Sequence, residues 1–418
     1  MERMGSRQPG SAETRDIVPP RTLPPCHLAT RRARRRYTRP MVDAPSQRLL
    51  GGLSPAAFLS RHWHKKALLA RAAMPGFEGP VTRDELFALA TRDDVESRLV
   101  QRIGARYTLD HGPFRKADLR RLPPRRWTLL VSGVNLHSDA ADALLRRFSF
   151  LPWARLDDLM VSYAAPGGGV GPHFDSYDVF LLQASGRRRW RYGRQRDLSL
   201  RPDAPLKILR HFTPARDATL EPGDMLYLPP DYAHDGVAVD ACMTCSIGFR
   251  AALYQELAEA FLDHLRDSVD LAGRYADPDL RPRSDPARID AQMQQRIARV
   301  LSGIRFDAAT IAQFLGRYLT EPKPGVVFAA PPALSRAVFA RRIARRGVAL
   351  DRRSQLLYDE GRLYLNGDDI ALPRAGRAAL RRLADQRHLS ARDCASLPAA
   401  TTELLHDWHR HGFLHDTA

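Results

Sequence analysis

The period of the hydrophobic pattern changes once along this chain of 418 residues, near Arg250. Before that point the strand-like runs are short, with alternation in Arg187 to Tyr192 and continuous apolar residues in Val179 to Gln183 and Asp224 to Leu228. Alternation with a period of two is typical of strands with one buried face. After Arg250 the apolar residues recur at about 3.6 positions, the period of an amphipathic helix. The pattern therefore predicts a β-rich unit followed by helices.

Three helical stripes follow the predicted β-rich unit. Asp285 followed by Pro286 predicts the start of the second helix, and Asp307 is suited to cap the third. A helical unit of this length has apolar faces to bury. The stripes consist of Leu253, Leu257, Phe261 and Leu265, then Ile289, Met293, Ile297 and Val300, then Ile311, Phe314, Leu315 and Tyr318.

The C-terminal part has the pattern of a winged helix. Prolines at 322, 324, 331 and 332 predict a linker, since proline interrupts regular structure. We then expect helices near 334–346, 376–386 and 401–411, with strands over 356–358 and 362–365 about an Asp-Glu-Gly turn. The terminal helix favours solvent-facing histidines over a metal site. These histidines are His406, His409, His411 and His415.

Residues 1–40 differ from the remainder of the chain. They carry ten arginines against three acidic residues, with six prolines and no helical or strand period. Such a composition predicts a disordered basic extension. Since domain-like periodicity begins only at Leu49 to Leu59, we expect Met41 to be the functional start.

The candidate chemistry lies in the β-rich unit, where His173 and Asp175 stand two positions apart. Alternate residues of a strand share a face, so an imidazole and a carboxylate at this spacing converge. Glycines and prolines precede the pair, and His234 follows a second predicted strand that a Glu-Pro-Gly turn introduces. Two histidines and one carboxylate form the facial triad that holds non-haem Fe(II) with open coordination positions.

Arg188 and Trp190 share one face of a predicted strand, while Arg187, Arg189 and Arg191 share the other. We expect this strand to form a hairpin with the preceding strand about Ala184-Ser185-Gly186. If Trp190 faces the interior, Arg188 does too, and a buried guanidinium requires an anion such as the distal carboxylate of a keto-diacid. The alternative is a row of charges on an edge strand, which is our preferred interpretation for the other three arginines.

Composition narrows the function only slightly. The formal net charge of +18 favours encounter with nucleic acid, but only five of the 65 basic residues are lysines, a bias that coding preference can produce. Four scattered cysteines argue against a disulfide scaffold and agree with a reducing cytoplasm. Cys242 and Cys245 are predicted to be buried structural residues. No apolar stretch approaches the roughly 18 residues that span a bilayer.

Several segments resemble the JmjC-type 2-oxoglutarate oxygenases, and within them the bacterial branch of the ribosomal oxygenases. The most specific is GVGPHFDSYDVFLLQASGRRRW, beginning at Gly169. The resemblance spans roughly Gly51 to the C-terminus, with Asp235 standing where glutamate is expected. The other similar segments are Phe58 to Lys66, Tyr227 to His234 and Ser246 to Arg250.

The resemblance implies that His173, Asp175 and His234 bind Fe(II), and that Arg188 binds the co-substrate 2-oxoglutarate. Oxygen is the second co-substrate. The implied reaction is hydroxylation of an arginine in a large-subunit ribosomal protein, protein sixteen. Tyr177 and Asp178, beside the motif, are candidates for the substrate groove. The alternatives are a histidine hydroxylase of the same fold, or a non-enzymatic winged-helix module that binds nucleic acid.

The expected fold is mixed α+β, in which a double-stranded β-helix of the cupin and JmjC jelly-roll type occupies residues 41–250. A helical dimerisation module over 251–321, a linker over 322–332 and a winged-helix-like domain over 333–418 complete the chain. We expect a cytoplasmic homodimer with a ribosomal protein as substrate, proximity to ribosomal RNA and no membrane association.

Overall fold

The structure is a computed structural model that describes residues 48–104 and 106–417. The predicted extension over residues 1–40 and the expected start at Met41 lie outside these residues. Local capping explains two of the first helices. The Ser54 hydroxyl accepts the N–H of Ala57, and Thr82 and Glu85 form a reciprocal capping box. The elements before the central motif are α1 (Pro55–Arg61), β1 (Leu68–Ala70), α2 (Arg83–Leu89), β2 (Ser97–Ile103), β3 (Arg106–His111), α3 (Lys116–Arg120), β4 (Trp127–Val131) and α4 (Asp139–Arg146).

Seven further strands complete two antiparallel sheets. The larger sheet has the order β1-β9-β6-β11-β5-β4-β2-β3, and the smaller sheet has the order β10-β7-β8. This arrangement confirms the predicted jelly-roll class. The strands are β5 (Leu156–Ala164), β6 (Val179–Ser185), β7 (Arg188–Arg194), β8 (Arg216–Leu220), β9 (Met225–Leu228), β10 (Tyr232–Ala238) and β11 (Cys242–Phe249).

Strand β6 of the larger sheet is buried on both faces. Leu181 of β6 shares a small core with Trp190 of the opposite sheet, so the two sheets pack face to face. Phe180 and Leu182, on the other side of β6, belong to a larger core that includes Phe58 of α1. Burial on both sides explains why β6 is a continuous apolar run.

The predicted hairpin between β6 and β7 is wrong, because the two strands lie in different sheets. β6 pairs with β11 on one side and with β9 on the other, which leaves it no free edge for β7. Gly186, at φ +60°, lies in the short connection that crosses from the larger to the smaller sheet.

The three outward arginines of this region do not mark an edge strand, because β7 lies between β10 and β8. Each arginine instead forms an ion pair with an aspartate. Arg189 Nε lies 2.9 Å from Asp217 Oδ1, and Arg187 Nε lies 2.9 Å from Asp240 Oδ2. Arg191 pairs with Asp235, the residue after His234.

Three helices follow the sheets: α5 (Tyr254–Ser268), α6 (Ala291–Leu301) and α7 (Ala308–Thr320). The predicted cap at Asp307 is confirmed, because its carboxylate accepts the N–H of Thr310 at 2.8 Å. The predicted start at Asp285 is wrong. Asp290 caps α6 by accepting the N–H of Gln292, since its carboxylate directly precedes the first helical turn. Among the described helices, none combines the length and apolarity needed to cross a membrane.

The C-terminal region has the predicted winged-helix pattern, and the hairpin of β13 and β14 forms with the expected bounds. One prediction fails: His409 is buried and stacks on Phe339 with ring centroids 5.0 Å apart, because α11 packs that face against α8. The elements are α8 (Arg336–Arg346), β12 (Val348–Leu350), β13 (Leu356–Tyr358), β14 (Arg362–Leu365), β15 (Asp368–Ala371), α9 (Arg377–Gln386), β16 (His388–Leu389), α10 (Ala391–Ala395), α11 (Ala399–Arg410) and β17 (Leu414–Asp416).

Helix α7 contacts α5 on one side and the winged-helix sheet on the other. Phe314 packs against Phe261 of α5 with ring centroids 5.2 Å apart. On the other side, a Cβ at Gly316 would lie 2.3 Å from the Tyr364 ring, so glycine permits close packing on β14. The boundary at residue 321 between the helical module and the C-terminal domain stays a prediction.

Candidate metal centre

His173 and His234 are joined through their backbones. The N–H of each residue donates to the carbonyl of the other, at 2.9 Å and 2.8 Å, which forms a single antiparallel bridge. The two rings consequently lie side by side, with centroids 4.1 Å apart. His173 is therefore a bridge residue rather than part of a continuous strand, and Asp175 lies in the loop that leads to β6.

Asp175 completes a compact group of three. One ligand atom from each of His173, Asp175 and His234 lies within 4.8 Å of the others, and His234 Nε2 is 3.6 Å from Asp175 Oδ2. No other such group of three occurs among the described residues, including the C-terminal histidines. Two imidazoles and a carboxylate are suited to Fe(II) in both number and type.

Backbone carbonyls orient both imidazoles. Nδ1 of His173 lies 2.8 Å from the Gly171 carbonyl, and Nδ1 of His234 lies 2.8 Å from the Tyr232 carbonyl. A ring that donates from Nδ1 keeps the lone pair of Nε2 free for a metal. Burial is the main cause that lowers the pKa of the His234 imidazole to about 4, and the charge of the neighbouring His173 lowers the pKa further. His234 is therefore neutral near pH 7, as ligation requires.

Arg188 is buried next to this group without a counter-ion. The residue is 5 % exposed, and Nη1 donates to Ser162 Oγ at 3.2 Å. Nε and Nη2 have no hydrogen-bond partner among the described residues. A buried guanidinium with two free donors is suited to a carboxylate ligand, because the ligand would satisfy both the charge and the donors.

A groove of about 580 Å³ connects these features. The triad and Arg188 line one part of it, and the carboxylates of Asp157 and Asp158 line another together with Lys323. A volume of this size lies within the usual range for small-molecule sites. The groove therefore brings the buried guanidinium of Arg188, the candidate metal ligands and a pair of carboxylates to one surface.

Of the two residues predicted to contact the substrate, only one lines the groove. Tyr177 lines the groove, whereas Asp178 is completely buried and does not line it. The Tyr227 hydroxyl donates to Asp178 at 2.5 Å, and His64 Nε2 lies 3.2 Å from the same carboxyl group. Burial raises the pKa of Asp178 above its ordinary value. Asp178 thus anchors the segment Phe58 to Lys66 to the sheet.

The residues that sequence reasoning missed are Ser162, Asp157, Asp158 and Lys323. The first three lie on β5, whose alternation predicts a strand but contains no sign of which face meets the metal centre. Lys323 comes from the linker that follows α7, far along the chain. Proximity to the groove is decided by strand pairing and domain packing.

Comparisons with known proteins agree with this geometry. A family model for the JmjC domain matches residues 143–257, and one for a ROXA-like winged helix matches residues 303–415. The ribosomal protein uL16 3-hydroxylase of Escherichia coli is 37 % identical over 66 % of this chain and 73 % of that protein. The chain belongs to the JmjC-type ribosomal oxygenases.

One further relative and a solved structure support the assignment of this ribosomal oxygenase. A probable ribosomal oxygenase of Haemophilus influenzae is 36 % identical over 54 % of this chain and 55 % of that protein. The structure of the E. coli ribosomal oxygenase YcfD in complex with cobalt and 2-oxoglutarate has a TM-score of 0.74 and 32 % identity. The match covers 87 % of this chain and 98 % of that one.

As a ribosomal oxygenase the protein is an Fe(II)- and 2-oxoglutarate-dependent dioxygenase. The predicted family, jelly-roll fold, enzyme class and cofactors are therefore confirmed. The His-Asp-His group and the unpaired Arg188 are suited to these cofactors on structural grounds alone.

Replacing Tyr227 with phenylalanine tests the anchoring role of Asp178. The change removes the hydroxyl that donates to the buried carboxylate, so we expect the free energy of unfolding to fall by about 1–3 kcal/mol. Urea denaturation measures this change. Tyr192→Phe alters a tyrosine in the smaller core without touching Asp178 and should have a smaller effect. Equal losses in the two variants would contradict the anchoring role.

Proposed function

We propose that this ribosomal oxygenase hydroxylates an arginine side chain of uL16, the large-subunit ribosomal protein sixteen. The observation that carries the proposal is the groove itself, which joins the triad to a pair of carboxylates. The relative named as a uL16 3-hydroxylase supports the choice of substrate. A ribosomal protein as substrate implies that the enzyme works in the cytoplasm near ribosomal RNA.

In this proposal His173, Asp175 and His234 hold Fe(II), and Arg188 binds the distal carboxylate of 2-oxoglutarate. Bound Fe(II) supplies the chemistry, coupling the oxidative decarboxylation of 2-oxoglutarate by O₂ to hydroxylation of a C–H bond. The protein contributes placement. The Gly171 and Tyr232 carbonyls hold the two imidazoles in the ligating tautomer, and Ser162 holds one arm of Arg188.

Asp158 is the side chain best suited to the substrate guanidinium. Its side chain is 15 % exposed, and one carboxylate oxygen accepts the N–H of Gly133 at 2.8 Å. Burial raises the pKa of Asp158, and the nearby Lys323 ammonium opposes that shift. A substrate guanidinium would compensate the buried charge through two parallel hydrogen bonds. Tyr177, which lines the same groove, can cover the apolar stem of the arginine.

The pair of carboxylates in the groove favours an arginine over a histidine as the target. An arginine carries its positive charge at every physiological pH, whereas a histidine is mostly neutral near pH 7. The histidine hydroxylase alternative would therefore leave Asp157 and Asp158 with a weaker partner.

Pairing of the C-terminal arginines disfavours the nucleic-acid-binding alternative. Arg346 lies 3.0 Å from Asp416, and Arg382 pairs with Asp393. Arg336 likewise pairs with Glu403. These carboxylates would compete with phosphate for the same guanidinium groups, so the basic composition of α8 and α9 overstates their affinity for nucleic acid.

We also propose that the enzyme is a homodimer formed through α5, α6 and α7. No side chain of α6 is buried within a single chain, although the helix carries an apolar stripe. An isolated helix of this length is marginal in water, so a partner surface is required to stabilise it. A second copy presents the same apolar surface. The exposed residues include Leu262, Ile297, Val300, Leu301, Phe306, Ile311 and Leu315.

Hydroxylation of uL16 and its dependence on the triad can be measured together. Incubation of uL16 with the enzyme, Fe(II), 2-oxoglutarate and O₂ should add one oxygen atom to an arginine, detected by tandem mass spectrometry. His173→Ala should abolish the product and the bound iron, while His211→Ala, at an exposed histidine outside the triad, should retain both. Full activity of His173→Ala would disprove the triad. A product on histidine instead of arginine would support the alternative hydroxylase.

Substitution of Arg188 should affect the co-substrate selectively. Arg188→Met should raise the KM for 2-oxoglutarate by about ten- to a hundredfold, because a charge-assisted contact is lost. Iron content should not change, since no metal ligand is removed. Arg189→Met is the matched control, because that exposed neighbour pairs with Asp217. An unchanged KM in Arg188→Met would rule out the proposed role.

A charge in the helical module should separate the dimer. Ile297→Asp replaces an apolar side chain of α6 that is 42 % exposed in one chain, and we expect a monomer by light scattering after size exclusion. Ile103→Asp makes the same change at a residue of β2 that is 68 % exposed and should leave the dimer intact. A monomeric unmodified protein, or a dimeric Ile297→Asp variant, would contradict this interface.

A further inference from the structure

Lys323 lies beside the two carboxylates of the groove. Its ammonium nitrogen lies 2.9 Å from Asp157 Oδ1 and 3.7 Å from Asp158 Oδ2. All three residues line the cavity that also contains the triad. The chain therefore carries an internal cation at the position proposed for the substrate guanidinium.

The backbone around Lys323 holds that cation in place. Pro322 and Pro324 flank the residue, and the N–H of Val326 donates to the Lys323 carbonyl at 3.1 Å. Gly325, at φ +83°, takes the third position of the resulting turn, with Pro324 at the second position. This is the residue pattern of a type II turn. The Arg353 guanidinium also donates to the Val327 carbonyl at 2.7 Å, which ties the turn to the C-terminal domain.

The two carboxylates differ in what they would lose if Lys323 moved away. Asp157 keeps a second cation, because Arg250 Nε lies 3.7 Å from Asp157 Oδ1. For Asp158, Lys323 is the one cation within ion-pair distance among the described residues. Release of Lys323 would therefore free Asp158 for an incoming cation while Asp157 stays neutralised.

The chemistry of the two cations favours exchange. A lysine ammonium is a compact, strongly hydrated charge on a flexible stem, whereas a guanidinium forms two parallel hydrogen bonds with a carboxylate. The 3.7 Å separation from Asp158 leaves the internal pair longer than a hydrogen bond. An arginine can thus displace Lys323, while a substrate lysine would gain no geometric advantage over it, and a neutral side chain has no charge with which to compete.

We propose that Lys323 is a specificity-determining residue that competes with the substrate side chain for Asp158 and so favours arginine. The inference rests on the proposed function, since it assumes a cationic target in this groove. Lys323 neutralises the buried carboxylate when the groove lacks substrate, and it withdraws toward Asp157 and solvent when a guanidinium binds.

Three variants distinguish competition from a general effect of charge. Lys323→Gln removes the competitor and should lower the KM for uL16 by about three- to tenfold, with kcat unchanged within about twofold. Lys323→Arg keeps the charge but can bind the carboxylates through its fork, so it should raise the KM. Lys116→Gln is the matched control, since Lys116 is exposed, lies outside the groove and forms no ion pair among the described residues. It should leave the KM near that of the unmodified enzyme.

The measurement is the rate of oxygen incorporation into uL16 as a function of uL16 concentration, with iron and 2-oxoglutarate saturating. A substrate in which the target arginine is replaced by lysine supplies a second readout. Lys323→Gln should increase the turnover of this lysine substrate relative to the turnover of the arginine substrate. A KM for uL16 that falls in Lys323→Gln and rises in Lys323→Arg would support the competition.

The results that would overturn this inference alone differ from the result that would overturn the proposed function. An unchanged or higher KM in Lys323→Gln would overturn the inference while leaving the proposed function intact. Equal decreases of KM in Lys323→Gln and Lys116→Gln would also overturn it, because a general reduction of positive charge would then explain both. If the unmodified enzyme does not hydroxylate uL16, the proposed function fails, and this inference fails with it.

Discussion

The reciprocal backbone hydrogen bonds between His173 and His234 are the interaction on which the remainder of the site depends. They join two segments 61 residues apart in sequence, the loop after β5 and the start of β10. Because directly opposed residues in an antiparallel pair place their side chains on one face, the bridge brings both imidazoles together. Further bonds from Gly171 and Tyr232 then select the ring tautomer.

Some arginines near this centre have acidic partners and one does not, and this difference indicates where a ligand binds. The outward arginines of β7 are compensated by aspartates on neighbouring elements, as at Arg187 and Arg189. Arg188, on the inward face of the same strand, has no such partner among the described residues. Compensated charges stabilise the sheet modestly, whereas an uncompensated buried charge is costly and therefore points to a ligand.

The C-terminal domain acts on the groove through the linker that precedes it. The linker after α7 brings Lys323 to the carboxylates of β5, and Arg353 fixes the same linker from the winged-helix side. Arg352 meanwhile donates to the Leu136 carbonyl at 2.9 Å, between β4 and α4. A domain whose shape is common among nucleic-acid-binding proteins thus fixes the linker that supplies Lys323 to the groove, and its shape alone does not establish a nucleic-acid-binding function.

The sequence by itself determined the fold class, the residue types of the candidate metal centre and the placement of Arg188 on the same strand face as Trp190. Each of these depends on a local period or a short motif, and such patterns are set by residues close together in the chain. Only the tertiary structure decided that β6 and β7 lie in opposite sheets, that β7 is a central strand and that Asp178 anchors the Phe58 to Lys66 segment. It likewise brought Lys323 to Asp157, because contacts between residues distant in sequence depend on which strands pair and how domains pack, and a single sequence carries no local signal for either.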